Sequence, residues 1–509
     1  MMLRQPLLIF FLVLMIRNEA AGMRILAFPA HDTGSHFYSM LQLLKKLDSA
    51  GHEVDVLNMM FEDKKTAEVG GLKAIHTHIP VESRKGTEFS WLASMKVWDF
   101  LNLYKLRDHS FGRLLELYPN KLNEIMNEAH YDLIIVDELF TNHGYAIALR
   151  LKAERGTPWM SYATSGMLNP AKMEMRSMGR NPVVKAFMFP NPPRSSNDYF
   201  QPTIFRYRLA SFVDTLYEIV GFHWVVSRFY MPNIARFGVV DFSWHKLFKD
   251  ASVTFSDSLE RLGWPVAEGT DLINTGAYCK SSEVLSGELK EFVEDPKSNG
   301  TIYVAFGTYA DWSYAPEHIL TAFANGLQHF PEYRIIFSFN GDLSIMPNVP
   351  FIKFVKWAPQ AAILNHPTTK VFISHGGLKS LKESICSKTP MIIMPLFAEQ
   401  AHNAHMFLAL KLGRTLNKFT TDEYDVQHEV NEILQNPYYQ QKIEKTREIM
   451  LDRPKDALDM ALFYAERIVR TRAPNNRIVF QRKGMDLYWY EYLYSEFILL
   501  LISFVLLIK

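Results

Sequence analysis

Between Trp357 and Asn403 the chain reads WAPQAAILNHPTTKVFISHGGLKSLKESICSKTPMIIMPLFAEQAHN. Val371–Ser374 is a short apolar run of the kind that forms a buried strand, and His375-Gly376-Gly377 follows as a tight turn opening a helix. Two glycines let a ligand come close to the backbone, and the unpaired amides of a helix N-terminus attract anions. Ser380 adds a hydroxyl there and Lys379 a positive charge. The Lys379 ammonium has two readings, one turned to solvent as lysines usually are, the other paired with a phosphate oxygen. Glu383 lies two turns along, where a carboxylate can accept from paired hydroxyls. Trp357 offers a flat face for a base. Glu399 and Gln400 follow the next strand, MIIMP, at the carboxyl edge where open α/β sheets bind ligands. An aromatic face, an anion site and carboxylates for a polyol together describe a nucleotide-sugar site.

The elements that must hold such a site alternate along the chain. Apolar strand-like runs occur at Arg24–Phe28, Val54–Leu57 and Asp132–Val136, then at Ile302–Phe306, Arg334–Phe339, Val371–Ser374 and Met391–Met394. A helical pattern from Phe37 to about Asp48 ends at Gly51. Continuous apolar runs separated by helices indicate parallel sheets covered on both faces. Two such sets, separated by the Gly/Ser/Lys-rich stretch Gly276–Gly300, indicate an α/β protein of two doubly wound domains. Asn169 to about Lys249 is less regular and rich in Pro, Phe, Tyr and Met. Phe89–Tyr104 carries Trp91, Trp98 and Phe100. These stretches read either as ordinary core packing or as the lining of a greasy acceptor pocket.

Composition removes several classes. With 55 Lys+Arg against 54 Asp+Glu in 509 residues, no electrostatic footprint for nucleic acid exists. A hydrophobic content of 48% and a charged content of 21% suit large buried cores rather than disorder. The two cysteines, Cys279 and Cys386, exclude a disulfide scaffold and a paired-cysteine zinc site; one bridge between them is allowed, and nothing requires it. No G-x-G-x-x-G, P-loop, H-E-x-x-H or G-x-S-x-G pattern occurs. His402 and His405 lie on one helical face without a third ligand, which favours packing over metal. Arg4, the apolar run Leu7–Ile16 and Ala20-Ala21-Gly22 read as a secretory signal over residues 1–22. Asn299-Gly300-Thr301 is a glycosylation sequon compatible with that compartment. Phe497–Ile508 is a second apolar run, shorter than the roughly 20 residues of a spanning helix. Trp489, Tyr490, Tyr492 and Tyr494 precede it as interfacial aromatics would precede a short tail anchor. The other reading is an amphipathic helix lying on the protein or on the bilayer.

The stretch from Trp357 closely resembles the donor-binding signature of the UDP-glycosyltransferases, which include the UDP-glucuronosyltransferases. Trp357, Pro359, Gln360, His366, Pro367, Phe372, Ser374, His375, Gly376, Gly377, Ser380, Glu383, Pro395, Glu399, Gln400, Asn403 and Ala404 match in register. Gly34-Ser35-His36 resembles the family's catalytic-histidine turn, Tyr131–Asp137 its catalytic-aspartate strand, and Phe306-Gly307-Thr308 its diphosphate loop. Asp456–Arg477 and Leu487–Glu496 resemble its return helix and pre-membrane segment, and the overall flavour is that of invertebrate members. Lys379 departs from the family's common Asn, and Glu399 from the Asp usual in animal members.

The resemblance implies a GT-B fold, two Rossmann-like domains facing across a cleft. It places an acceptor-binding domain at 23–275, a UDP-sugar-binding domain at 276–455, a return helix and connector at 456–485 and a membrane-anchor segment at 486–509. It implies an inverting transfer of glucuronate or glucose from a UDP-sugar to a hydroxyl of a small lipophilic acceptor, as in detoxification. Trp357 would stack on uracil with Gln360 beside it, and Glu383 would accept from the ribose. His375, Gly377, Lys379, Ser380 and Thr308 would meet the phosphates, and Glu399 and Gln400 the sugar. His36 would be the general base, next to a helix start whose dipole disfavours the imidazolium, with Asp137 orienting it. No metal or other cofactor is expected, since a helix N-terminus and fixed donors can neutralise the leaving diphosphate. The expected location is the endoplasmic reticulum membrane, lumen-facing and single-pass near the C-terminus, with oligomers allowed. The competing reading is a non-catalytic lumenal protein of the same fold that holds a lipophile or nucleotide sugar.

Overall fold

Apolar runs at Arg24–Phe28 (β1) and Leu133–Asp137 (β4) pair in parallel at the middle of the first sheet, and every residue of β4 is buried. A computed structural model of the chain describes residues 22–30, 34–60, 71–79, 90–93, 97–165, 192–259, 262, 269–280, 284–307, 310–471, 483–488, 491 and 494–508. The leader expected at 1–22 therefore lies outside the described residues but for Gly22, as do Thr308 and the aromatics Trp489, Tyr490 and Tyr492.

The first sheet is completed by Glu53–Met60 (β2), Lys73–His78 (β3), Trp159–Ala163 (β5), Thr254–Ser256 (β6) and Leu272–Asn274 (β7), in the order β3-β2-β1-β4-β5-β6-β7. All its pairings are parallel. The second sheet contains Thr301–Ala305 (β8), Arg334–Ser338 (β9), Ile352–Val355 (β10), Thr369–Ser374 (β11), Met391–Ile393 (β12) and Gly413–Thr415 (β13). Its order is β10-β9-β8-β11-β12-β13, again parallel throughout. Each sheet is doubly wound, so the architecture is the GT-B pair of Rossmann-like domains. The chain reverses direction of growth between β1 and β4 in one sheet and between β8 and β11 in the other. Ligand sites of such sheets sit at the carboxyl ends of strands flanking that reversal.

Two elements differ from the sequence reading. The first helix starts at Gly34, three residues ahead of the expected Phe37, so His36 lies inside its first turn. The irregular region contains a helix, Phe205–Glu218, that continues in wider π-type turns through Ile219–Tyr230. Trp91 is also not pocket lining. It is 3% exposed and buried in the second domain's core, against Phe306 and Trp312 at ring-centroid distances of 6.1 and 4.9 Å.

The domains are tied at several further points. The buried Lys418 ammonium donates to the carbonyls of Ala93 at 2.7 Å and Leu396 at 2.6 Å. The Lys382 ammonium donates to Asp257 at 2.7 Å and sits 4.0 Å over the Tyr278 ring. His405, one of the paired histidines, accepts from the Phe200 amide at 3.1 Å, which gives it a packing role. Helix Ala457–Arg470, capped by Asp456, returns to the first domain: Ala461 and Ala465 join its core, and Asp459 pairs with Lys46 at 2.5 Å. Cys279 and Cys386 form a disulfide that the sequence allowed without requiring.

Candidate functional site

His36 and Asp137 are brought together by the reversal in the first sheet, one on the helix after β1 and the other at the end of β4. His36 Nδ1 lies 3.1 Å from Asp137 Oδ2, and the aspartate is fully buried. Thr164, just beyond β5, completes the cluster. Its Oγ1 is 2.6 Å from His36 Nδ1 and 3.0 Å from each Asp137 carboxylate oxygen. The consistent assignment has the Thr164 hydroxyl donating to Asp137, while His36 Nδ1–H is shared between Thr164 and Asp137. Nε2 then carries the lone pair.

Glu138 supports this arrangement from below. It is buried and accepts from the Thr164 amide at 2.8 Å and the Ser165 hydroxyl at 2.7 Å. Burial and the neighbouring Asp137 push its carboxyl well above the usual range. Neither Thr164 nor Glu138 was identified from the sequence. A Thr after a strand carries no spacing signal, although the acidic pair Asp137-Glu138 at a strand end could have drawn attention.

In the second domain His375-Gly376-Gly377 closes β11 and opens helix Leu378–Ser387 with Gly377 as N-cap. Gly376 has φ 84°, and a Cβ there would lie 2.4 Å from Ile393 Cγ2. Gly307, after β8, has φ 73°, and a Cβ there would lie 2.9 Å from the His375 ring. A Cβ on Gly377 would lie 2.6 Å from Nε2 of that ring. Both reversal loops thus use glycine to leave the imidazole and the helix start uncovered. Asn403 fixes the turn by donating to the Gly376 carbonyl at 2.9 Å. Burial lowers the His375 pKa to about 4, so near pH 7 it is a neutral hydrogen-bonding ring.

Along the same helix Ser380 is buried, and Glu383 accepts from Gln360 Nε2 at 2.5 Å. Gln360 therefore orients the carboxylate expected to meet the ribose. Trp357 is 73% exposed, a free aromatic face at the outer end of the site. Gln400 is engaged within its own loop. It is buried, and its carbonyl oxygen accepts from the amides of Leu396 at 2.8 Å and Phe397 at 3.1 Å. It holds the loop before Glu399, and only its amide nitrogen is left for a sugar hydroxyl.

Glu399 and Lys379 span the cleft electrostatically. Burial raises the Glu399 pKa, opposed by its own backbone amide and then by His36 and Lys379. The Lys379 Nζ is buried and has no hydrogen-bond partner among the described residues, which removes the solvent-facing reading. Burial lowers its pKa to about 7; Asp257 acts upward, Lys280 and Lys382 downward, and Asp137 upward. The site thus sets the hydrogen-bonded His36 imidazole on one domain against the Lys379 amine, which has no hydrogen-bond partner among the described residues, and the buried Glu399 carboxyl on the other. Among the described residues no group of three His, Cys, Asp or Glu side chains is placed to hold a metal.

A family model described as UDP-glucoronosyl and UDP-glucosyl transferase matches residues 23–509. UDP-glycosyltransferase UGT4 of Dactylopius coccus is 24% identical, covering 98% of this chain and 95% of that protein. Human UDP-glucuronosyltransferase 1A6 is 25% identical, covering 95% and 88%. Among solved structures, Phytolacca americana UGT2, complexed with UDP-2fluoro-glucose and pterostilbene, superposes with a TM-score of 0.56 at 15% identity. That likeness covers 88% of this chain and 99% of the plant enzyme. The glycotransferase of kitacinnamycin gives a TM-score of 0.57 at 16% identity over 88% and 98%.

Proposed function

The chain belongs to the UDP-glucuronosyl and UDP-glucosyl transferase family and is a glycosyltransferase, and from that premise we propose that it moves glucuronate or glucose, with inversion, from a UDP-sugar to a hydroxyl of a small lipophilic acceptor. The observation that carries this reading is the His36–Asp137–Thr164 cluster facing Glu399 and Lys379 of the other domain. His36 Nε2 takes the proton as the acceptor oxygen attacks the anomeric carbon. The bond from that carbon to the diphosphate oxygen breaks on the opposite face, and UDP leaves with the electron pair. Asp137 stabilises the imidazolium, and Thr164 keeps the ring in the productive tautomer.

On the donor side Trp357 stacks on uracil, Gln360 and Glu383 hold the ribose end, and Glu399 with the Gln400 amide meets the sugar. Lys379, the neutral His375, Ser380, Thr308 and the first-turn amides after Gly377 receive the diphosphate. Those groups supply the counter-charge, so the reaction in this reading uses no metal or other cofactor.

The reading also places the enzyme in the endoplasmic reticulum, lumen-facing and anchored by one segment near the C-terminus. The Cys279–Cys386 disulfide supports an oxidising compartment. The helix Ser495–Ile508, exposed from Phe497 onward, supports the anchor.

Incubation of the detergent-solubilised protein with UDP-glucose or UDP-glucuronate and a panel of phenols, followed by mass spectrometry, tests the proposal. A glycoside formed with one donor, together with free UDP, is the expected result. Tight UDP binding with neither donor turned over would instead identify a binding protein.

A further inference from the structure

The helical stretch Phe205–Tyr230 has two faces of different character. Tyr207, Ser211, Asp214, Phe222 and Val226 form a buried stripe at helical spacing. The opposite stripe, Leu209, Phe212, Leu216, Val220 and Trp224, is exposed, with Phe212 at 57% and Trp224 at 60%. Every exposed side chain described on this stretch is apolar, aromatic or arginine, and the arginines stand toward its two ends, Arg206 and Arg228. A continuous apolar face of this extent on a folded domain marks a contact surface.

The inner face fixes how the helix lies. Gly221 permits close approach to the Val97–Leu117 helix, since a Cβ there would fall 2.6 Å from Leu101 Cδ1. Trp244 Nε1 donates to the Phe222 carbonyl at 2.8 Å. The stretch is 26 residues long and contains an 18-residue window with a mean hydropathy of 1.2, which by length and composition alone is enough to cross a bilayer. Its inner stripe is nevertheless packed on protein and includes the buried Asp214, so it lies along the domain instead.

The position of the C-terminal segment identifies what covers the outer face. Met485 is buried in the same cluster as Phe222, Val226 and Trp244, and Asp486 pairs with Lys249 at 2.8 Å. Lys249 stands on the helix Trp244–Asp250, whose Trp244 bonds to Phe222, so the chain leaves the body one short helix away from this stretch, shortly before Ser495–Ile508. At no more than about 3.5 Å per residue, the segment between cannot carry the anchor far away. We infer that the outward face of Phe205–Tyr230 rests in the surface of the lipid bilayer that the C-terminal helix enters. The inference builds on the reading of Ser495–Ile508 as a membrane anchor. The composition fits an interfacial helix: an apolar face with aromatics, flanked by arginines that suit anionic headgroups. Described side chains on the exposed face include no carboxylate or amide that would pair with a protein partner.

The test uses the full chain in preformed phosphatidylcholine/phosphatidylserine vesicles. The two native cysteines are joined, so one added cysteine is labelled alone. Leu216→Cys, and separately Phe212→Cys, carries an environment-sensitive fluorophore; Leu343→Cys, exposed on the second domain, is the control. On floated protein, nitroxide-bearing lipids should quench the label at 216 and at 212 and leave the one at 343 bright. A water-soluble reductant should bleach 343 much faster than 216. Flotation with both sites equally bleached and neither quenched overturns the inference and leaves the anchor standing. A label at 216 protected from reductant yet unquenched by the lipids also overturns it, because a second protein surface then covers the face. Protein that does not float removes the anchor and the inference together.

Discussion

The Thr164 hydroxyl reaches His36 and both oxygens of Asp137 at once, so it fixes the tautomer that the base requires. Thr164→Val keeps the shape and removes that contact. Hydrogen bonds to charged groups are worth about 1.5–3 kcal/mol, so kcat should fall about 10–100-fold, with UDP affinity unchanged and Thr164→Ser close to wild type. Wild-type turnover in Thr164→Val would show that Asp137 alone holds the ring. Lys379 gives a second test at this scale. Its pKa of about 7 in the free protein must rise when a diphosphate binds, because an anion favours the ammonium. UDP affinity should therefore be flat below pH 7 and fall as pH rises through 7, by up to about tenfold per unit until the bound-state pKa is reached. In Lys379→Ala the affinity should be about 10–100-fold weaker and the slope above pH 7 lost. Titration calorimetry between pH 6 and 9 reads both quantities. That His36 and Asp137 belong together was legible, because a His at a helix start and an Asp at a strand end leave a pattern in sequence, and the structure brings them to 3.1 Å. Thr164 was not, because its role comes from strand order.

At the scale of elements, the proposed donor site runs along helix Leu378–Ser387: Gly377 at its start would take the anion and Glu383, held by Gln360, the polyol, with Trp357 beyond. That order predicts separable effects. Trp357→Ala and Glu383→Ala should weaken UDP itself, whereas Glu399→Ala should leave UDP affinity unchanged and slow turnover of the intact donor. Calorimetry with UDP alone decides, and equal weakening by Glu399→Ala and Trp357→Ala would reverse the assigned ends. The central strands β1, β4, β8 and β11 were readable as apolar runs. β3, β5, β6, β7, β10 and β13 were not: Lys73, His76, Thr77 and His78 leave β3 no apolar run, and β6, β7 and β13 are only three residues long. Phe205–Tyr230 was hidden because its outward face is the apolar one while its inner face mixes Ser211 and Asp214 with Phe222 and Val226, the reverse of the usual pattern.

At the scale of the molecule, the proposed reaction requires the two domains to be held so that His36 faces Lys379 and Glu399. Trp91 and the buried Lys418 bind a first-domain segment into the second domain, and neither could be foreseen, because such contacts join residues hundreds of positions apart. The Cys279–Cys386 bridge ties the connector after β7 to the end of the donor helix and closes a loop of sequence separation 107. Cys279→Ser with Cys386→Ser should cost about 2–5 kcal/mol, measured by urea unfolding of the two proteins under identical conditions. An unchanged midpoint would mean that the connector is held without the bridge. The central claim is that this cleft deprotonates an acceptor hydroxyl through His36 while the other domain holds the UDP-sugar. The most direct measurement is kcat and UDP affinity of His36→Ala beside wild type, with the donor and phenol that give product. The account requires turnover to fall about 10²–10⁴-fold with UDP affinity intact. Turnover equal to wild type in His36→Ala would contradict it.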